Sequence, residues 1–317
     1  MRRILVTGAT GQIGSELTPA LRQRYGAEQV VAVGHRNMPT ESLRSGGPYA
    51  ACDARDNTAL AEIVQKFNIN TIYHLAALLS VAAEKDPQLA WDVNMNGLQN
   101  VLEIARSHGC GVFHPSSIAA FGPDTPPINT PQVTIQRPNT MYGISKVAAE
   151  LLCDYYYTRY RVDTRGVRYP GLISHIALPG GGTTDYAVEI FYAALRKRKY
   201  TCPLKPDTRL DMMYMPDAIQ AAMRIMEADS TKLLHRNAYN ITAMSFSPME
   251  LAAAIKKKIP EFTINYEVDP IHQAIADSWP DNMNDSAARS QWGWASQYDL
   301  ERMTSDMLAR LAAKLTA

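Results

Sequence analysis

Thr7-Gly8-Ala9-Thr10-Gly11-Gln12-Ile13-Gly14 is the stretch whose reading decides the fold. It follows the apolar run Ile4-Leu5-Val6 and opens an amphipathic stretch ending near Arg24, the order of strand, glycine turn and helix that a dinucleotide site requires. Glycines at 8, 11 and 14 let the backbone approach a pyrophosphate. The helix behind them offers unpaired N–H groups and a positive dipole end to the phosphates, and Thr10, Gln12 and Ile13 complete the expected contact. Glycines also close ordinary strand-to-helix turns, so the reading needs a second signal.

Tyr142-Gly143-Ile144-Ser145-Lys146 supplies it. Four apart on a helix, Tyr142 and Lys146 share one face, which brings the ammonium near the phenol. A free tyrosine ionises at about 10, too high for a base at neutral pH, but a close cation and an oxidised nicotinamide ring both favour the phenolate. Such a group takes a proton from an alcohol while hydride leaves for the cofactor. Val112-Phe113-His114-Pro115-Ser116-Ser117 is a short apolar run ending in two hydroxyls. Ligands of open α/β sheets bind outside the carboxyl ends of the strands, which sets Ser117 to hydrogen-bond the reacting oxygen.

Around these motifs, short β-branched runs (4–6, 30–33, 71–74, 112–115) alternate with helical patterns (12–24, 57–67, 88–108, 144–160). The expectation is a Rossmann-type doubly wound parallel sheet with right-handed crossovers, and 162–168 reads as a sixth strand. After Pro170 the pattern is less regular: helices are expected over 185–195, 248–259 and 299–315, and a strand over 237–242. With 317 residues, 46% of them hydrophobic, the chain has room for a smaller α/β substrate lobe. Residues 1–170 plus 206–241 are expected to form the nucleotide domain, and 171–205 plus 242–317 the lobe. A net charge of +1 gives no basic field to draw nucleic acid, and Arg196-Lys197-Arg198-Lys199 reads as a solvated helix end. No run reaches the roughly 18 apolar residues of a membrane span, and no signal-peptide pattern is seen. Cys52, Cys110, Cys153 and Cys202 lack metal-ligand spacing and suit free thiols in a reducing cytoplasm. His74, at a strand end, reads as structural; no metal is expected.

With Gly8, Gly11 and Gly14, Ser117, and Tyr142 with Lys146 in place, the chain resembles the extended short-chain dehydrogenase/reductase superfamily. Within it, it is most similar to the short-chain type of L-threonine 3-dehydrogenase. That finer likeness is carried by Arg168-Tyr169-Pro170-Gly171-Leu172-Ile173-Ser174, Pro179-Gly180-Gly181-Gly182-Thr183-Thr184-Asp185-Tyr186-Ala187 and Asp277-Ser278-Trp279-Pro280. The resemblance implies NAD-dependent oxidation of L-threonine at its 3-hydroxyl to 2-amino-3-oxobutyrate. It implies a homodimer paired through the helices over 88–108 and 144–160. A nucleotide-sugar epimerase or dehydratase of the same superfamily and a non-catalytic dinucleotide sensor are the rivals.

The resemblance also distributes roles. Leu75, Ala76 and Ala77 pass alongside the ribose and phosphates, Asn94 supports the active-site helix, and Tyr169, Pro170 and Leu172 lie along the cofactor. Asp53 with Ala54 reads the adenine edge, although Asp53 equally suits capping the helix near Asn57. One departure stands out. The acid that normally ends the second strand and holds the adenine ribose is replaced by Gly34-His35-Arg36, where Arg36 can pair with the 2′-phosphate of NADP, stack on adenine or face solvent. NAD is nevertheless the expected cofactor. For the substrate, Thr184 and Asp185 are expected contacts, with Thr183 and Ser80 beside them and Trp279 in a lid. Helix capping by Asp185, a loop serine at 80 and a lobe-packing tryptophan are the alternatives. Arg209 and Asp211 are read as polar groups near the lobe interface or as an ion pair.

Overall fold

A computed structural model describes residues 2–178 and 182–316; Pro179, Gly180 and Gly181 of the glycine-rich segment lie outside the described residues. The first half builds β1 (Ile4–Thr7), α1 (Gly14–Tyr25), β2 (Val30–Gly34), α2 (Glu41–Ser45), β3 (Tyr49–Ala51), α3 (Asn57–Lys66) and β4 (Thr71–His74). There follow α4 (Ser80–Lys85), α5 (Pro87–Trp91), α6 (Gly97–His108), β5 (Gly111–Phe113), β6 (Ser116–Ser117), α7 (Met141–Tyr160) and β7 (Thr164–Arg165). Six of these strands form a parallel sheet in the order β3-β2-β1-β4-β5-β7.

β1, β2 and β4 are buried along their whole length, as strands covered on both faces by helices must be. Ile4 and Val6 join Leu17 and Leu21 of α1 in one core, while Leu5, Val31 and Val33 join Leu60, Leu98 and Leu102 in the other. The chain runs outward from β1 to β3, then returns to β4 and continues to β7. That reversal opens a crevice above the carboxyl ends of β1 and β4, where doubly wound sheets take their ligands.

Three local features go beyond the sequence pattern. The stretch 88–108 is continuously helical, as expected, but α5 passes into α6 through a π turn over Asp92–Asn96, whose wider winding turns Asn94 inward. The stretch 162–168 divides into β7, paired with β5, and β8 (Val167–Tyr169), paired with β6; between them Gly166 N turns to Arg236 O, and Gly166 packs against the His114 carbonyl where a Cβ would overlap it. β3 has no signature in the sequence because it is a short, half-buried edge strand.

The second half adds β9 (Gly171–Ile173), α8 (Tyr186–Lys197), β10 (Lys199–Cys202), β11 (Leu210–Tyr214), α9 (Met215–Glu227), β12 (Tyr239–Asn240) and β13 (Met244–Phe246). It ends with α10 (Pro248–Lys256), β14 (Thr263–Tyr266), α11 (Pro270–Ala276), α12 (Ser286–Trp292) and α13 (Leu300–Thr316). β11 is the seam between two cores. By the period of two along a strand, Leu210, Met212 and Tyr214 pack with Phe191, Phe246 and Met307, while Met213 faces Val6 and Tyr73. Ala288, Trp292 and Trp294 also pack on the nucleotide side. Among the described residues no helix is long and apolar enough to cross a membrane.

Candidate active site

Two adjoining cavities lie over the crevice, of 460 and 280 Å³. The glycine turn is their floor. Gly8 has φ +67°, and a Cβ there would stand 2.7 Å from the Ala76 nitrogen, so only glycine lets the β1 turn touch the Leu75-Ala76-Ala77 segment leaving β4. Gly14 packs against Gly8 and Ala9 in the same way. Thr10 and Gly11 line both cavities, and Gln12 and Ile13 the larger one, at the positive N-terminal end of α1. This cradle fits a pyrophosphate, and the smaller cavity fits the adenosine end, with Gly34, His35, Arg36, Asp53, Ala54 and Ala76 in its walls. Asp53 does not cap α3, since Asp56 does, accepting from Ala59 N. Its carboxylate instead takes Arg55 Nη2 at 2.6 Å, and the guanidinium holds it down to about 2.

The larger cavity holds the reactive group. Thr140 caps α7 by accepting Gly143 N at 3.1 Å, which places Tyr142 and Lys146 in the first turns, both lining the cavity. Lys146 is 3% exposed; its Nζ donates to Pro115 O at 2.8 Å and lies 5.4 Å from the centroid of the Tyr142 ring. Ser117 Oγ accepts Ala119 N at 3.2 Å, which leaves its proton to be donated into the cavity that it lines together with Tyr142. Burial pushes Tyr142 up to about 12, with Ser117 opposing it. Burial also pulls Lys146 down to about 8, against the raising field of Glu150. Beneath lie His74 and His114, stacked at 5.5 Å. Burial pulls His74 down to about 3 and His114 well below its ordinary value, so both are neutral, and His74 Nδ1 is bonded to Thr7 Oγ1 at 2.8 Å.

The same cavity is also lined by Ser80, Thr183, Thr184, Asp185 and Trp279, and by Tyr169, Pro170 and Leu172. Asp185 makes no capping bond to α8; its Oδ2 accepts Gly182 N at 2.7 Å. The Thr183 hydroxyl is buried and has no partner among the described residues. Trp279 packs against Ile118, Phe121 and Met283. Asp211 receives Met283 N at 2.8 Å and Thr242 Oγ1 at 2.6 Å, which ties the segment after Trp279 to β11. Arg209 pairs with Glu250, not with Asp211.

Residues 4–242 match the NAD dependent epimerase/dehydratase family. The chain belongs to that family. An uncharacterised epimerase/dehydratase of Staphylococcus haemolyticus is 54% identical over 99% of each chain. Among solved structures, L-threonine dehydrogenase from Clostridium difficile superposes with a TM-score of 0.97 at 54% identity, covering 99% of this chain and 98% of that one. The holo form of a GalE-like L-threonine dehydrogenase from Cupriavidus necator gives 0.95 at 52% identity, covering 98% and 99%. The dinucleotide is NAD, and the chain is an NAD-dependent oxidoreductase of this family.

Within this family member, two expected cofactor residues stand behind the cavity walls. Gly14 serves packing. Asn94 accepts Leu78 N at 2.8 Å and donates to Leu78 O and Ser145 Oγ, fixing the β4 loop against α7. Sequence reading missed Asn37, Thr40, Ile176 and Leu178 in the larger cavity, since none carries a motif. It also missed the pair behind Lys146: Glu150 and Arg168, each side chain 6% exposed, meet at 2.8 Å. Ser116 and Gln136 donate to the same carboxylate. The spacing of Lys146 and Glu150, one helical turn apart, was the available signal for it.

Proposed function

We propose that the chain oxidises L-threonine at its 3-hydroxyl to 2-amino-3-oxobutyrate. The observation that carries the reading is one cavity that joins Ser117, Tyr142 and Lys146 to Thr183, Thr184 and Asp185. An amino acid needs an acceptor for its ammonium and donors for its carboxylate, and the Asp185 carboxylate and the hydroxyls of Ser80, Thr183 and Thr184 are groups of those kinds. The likeness to two L-threonine dehydrogenases supports the same reading.

When bound, NAD supplies the hydride acceptor. The Tyr142 phenolate takes the proton of the 3-hydroxyl, Ser117 donates a hydrogen bond to the reacting oxygen, and the Lys146 ammonium favours the phenolate. Trp279 covers the site from water. Outside the site, Ile144, Leu151 and Tyr155 of α7 are 43, 65 and 52% exposed, an apolar face that a second copy covers in a homodimer. Light scattering at one chain's mass, 35.1 kDa, would refute the dimer.

The deciding experiment follows NADH formation with L-threonine, UDP-sugars and simple hydroxy acids in parallel. Turnover of L-threonine that drops by about 10²–10⁴ in Tyr142→Phe is the expected result. Activity confined to UDP-sugars would overturn the substrate assignment.

A further inference from the structure

The adenosine cavity has a charge pattern that NAD does not require. Where a carboxylate would ordinarily hold the ribose hydroxyls, β2 ends in Gly34, and a Cβ there would stand 2.6 Å from Tyr49 Oη and 2.9 Å from Thr10 Cγ2. Neighbouring side chains therefore occupy the direction an acid would take. The carboxylate that does line the cavity, Asp53, is already matched. Arg55 Nε and Nη2 donate to it at 3.1 and 2.6 Å, and Arg55 N at 3.0 Å. The remaining guanidinium edge meets Asp92 at 2.7 Å. His35 Nδ1 stands 3.5 Å from the same carboxylate. Arg36 is exposed, lines the same cavity and has no hydrogen bond or ion pair among the described residues. The wall thus presents a free cation and no free anion.

We infer that the Gly34-His35-Arg36 wall accepts the 2′-phosphate of an adenine dinucleotide, so that the chain binds NADP(H) in addition to NAD(H). A carboxylate at the ribose rejects that phosphate by like-charge repulsion and by leaving the acid without its hydroxyl partner. Neither penalty arises here, and Arg36 offers a guanidinium suited to phosphate oxygens. The inference concerns the dinucleotide site alone and holds whatever substrate the chain oxidises.

The test is binding, with no substrate present. Dissociation constants for NADH and NADPH are measured by fluorescence, and those for 5′-AMP and adenosine 2′,5′-bisphosphate by calorimetry. NADPH is expected within about tenfold of NADH, because the exposed cation compensates the cost of desolvating the phosphate. The bisphosphate should bind more tightly than 5′-AMP, by a margin that shrinks as salt screens the contact. Arg36→Ala should raise the NADPH-to-NADH ratio of dissociation constants by about fivefold, the upper range of one exposed ion pair, and Arg36→Glu should raise it further. A wild-type ratio above tenfold, or a ratio unmoved by both substitutions, would overturn the inference.

Discussion

Replacing Lys146 by methionine removes the charge at the centre of the site and keeps most of the side-chain volume. The Nζ is 5.4 Å from the Tyr142 ring centroid and buried, so solvent screening is weak. Taking the centroid as the mean position of a phenolate charge shared between ring and oxygen, and an effective dielectric of about 20, one charge at that distance stabilises the phenolate by about 3 kcal/mol at most, or about two pKa units. With Tyr142 at about 12 and Lys146 at about 8, the lysine of the free enzyme discharges long before the tyrosine ionises. Its help is therefore confined to pH values below its own titration, in concert with the positive nicotinamide. Lys146→Met should lower kcat/KM for L-threonine about a hundredfold near neutrality and move the ascending limb of the pH profile about two units alkaline. Initial rates of NADH formation across pH provide the assay. Circular dichroism melting separates this loss from the cost of leaving Pro115 O without its donor, about 1–3 kcal/mol. A rate within threefold of wild type, or a profile that does not move, would refute the reasoning.

Further outcomes follow from the same geometry. Asp185→Asn keeps an acceptor for Gly182 N and removes only the charge, so KM for L-threonine should rise by about tenfold or more while KM for NAD holds; an unchanged threonine KM would remove Asp185 from the substrate site. Glu150→Gln leaves Arg168 buried without its partner and should cost about 3–5 kcal/mol in denaturant unfolding; a loss below about 1 kcal/mol would show that the neutral amide satisfies the network. Burial pushes Asp211 up to about 8 from an ordinary value of 3.8, so its contribution to stability is full below the unfolded value and is lost as pH rises through the folded one. Asp211→Asn should therefore melt near wild type only at about pH 4 or below and progressively above it as pH rises towards about 8; a difference that is constant with pH would contradict the shifted titration.

The glycine turn and the Tyr142–Lys146 pair are legible in one dimension because each is a local device. A turn that needs glycine, or two side chains one helical turn apart, is specified by neighbours in sequence, and the strand–helix alternation around them determines the class of sheet. Those features carried both the Rossmann reading and the resemblance to the dehydrogenases. Ser117 was legible for a related reason, since a hydroxyl at the end of an apolar run points to a strand terminus facing the crevice.

Tertiary structure decided whatever depends on partners distant in the chain. The π turn at Asp92–Asn96 has no composition of its own; what marks it is that Asn94 bonds Leu78 and Ser145 at once. Asp53 suits a helix cap and an adenosine wall equally in sequence; in the fold Asp56 caps α3, while Asp53 and Asp92 share the Arg55 guanidinium. Leu210 and Met213 are both apolar in sequence, yet they serve opposite cores because β11 is packed on both faces. The displaced titrations of Tyr142, Lys146 and Asp211 are likewise products of burial, and burial is a property of how the whole chain closes around a residue.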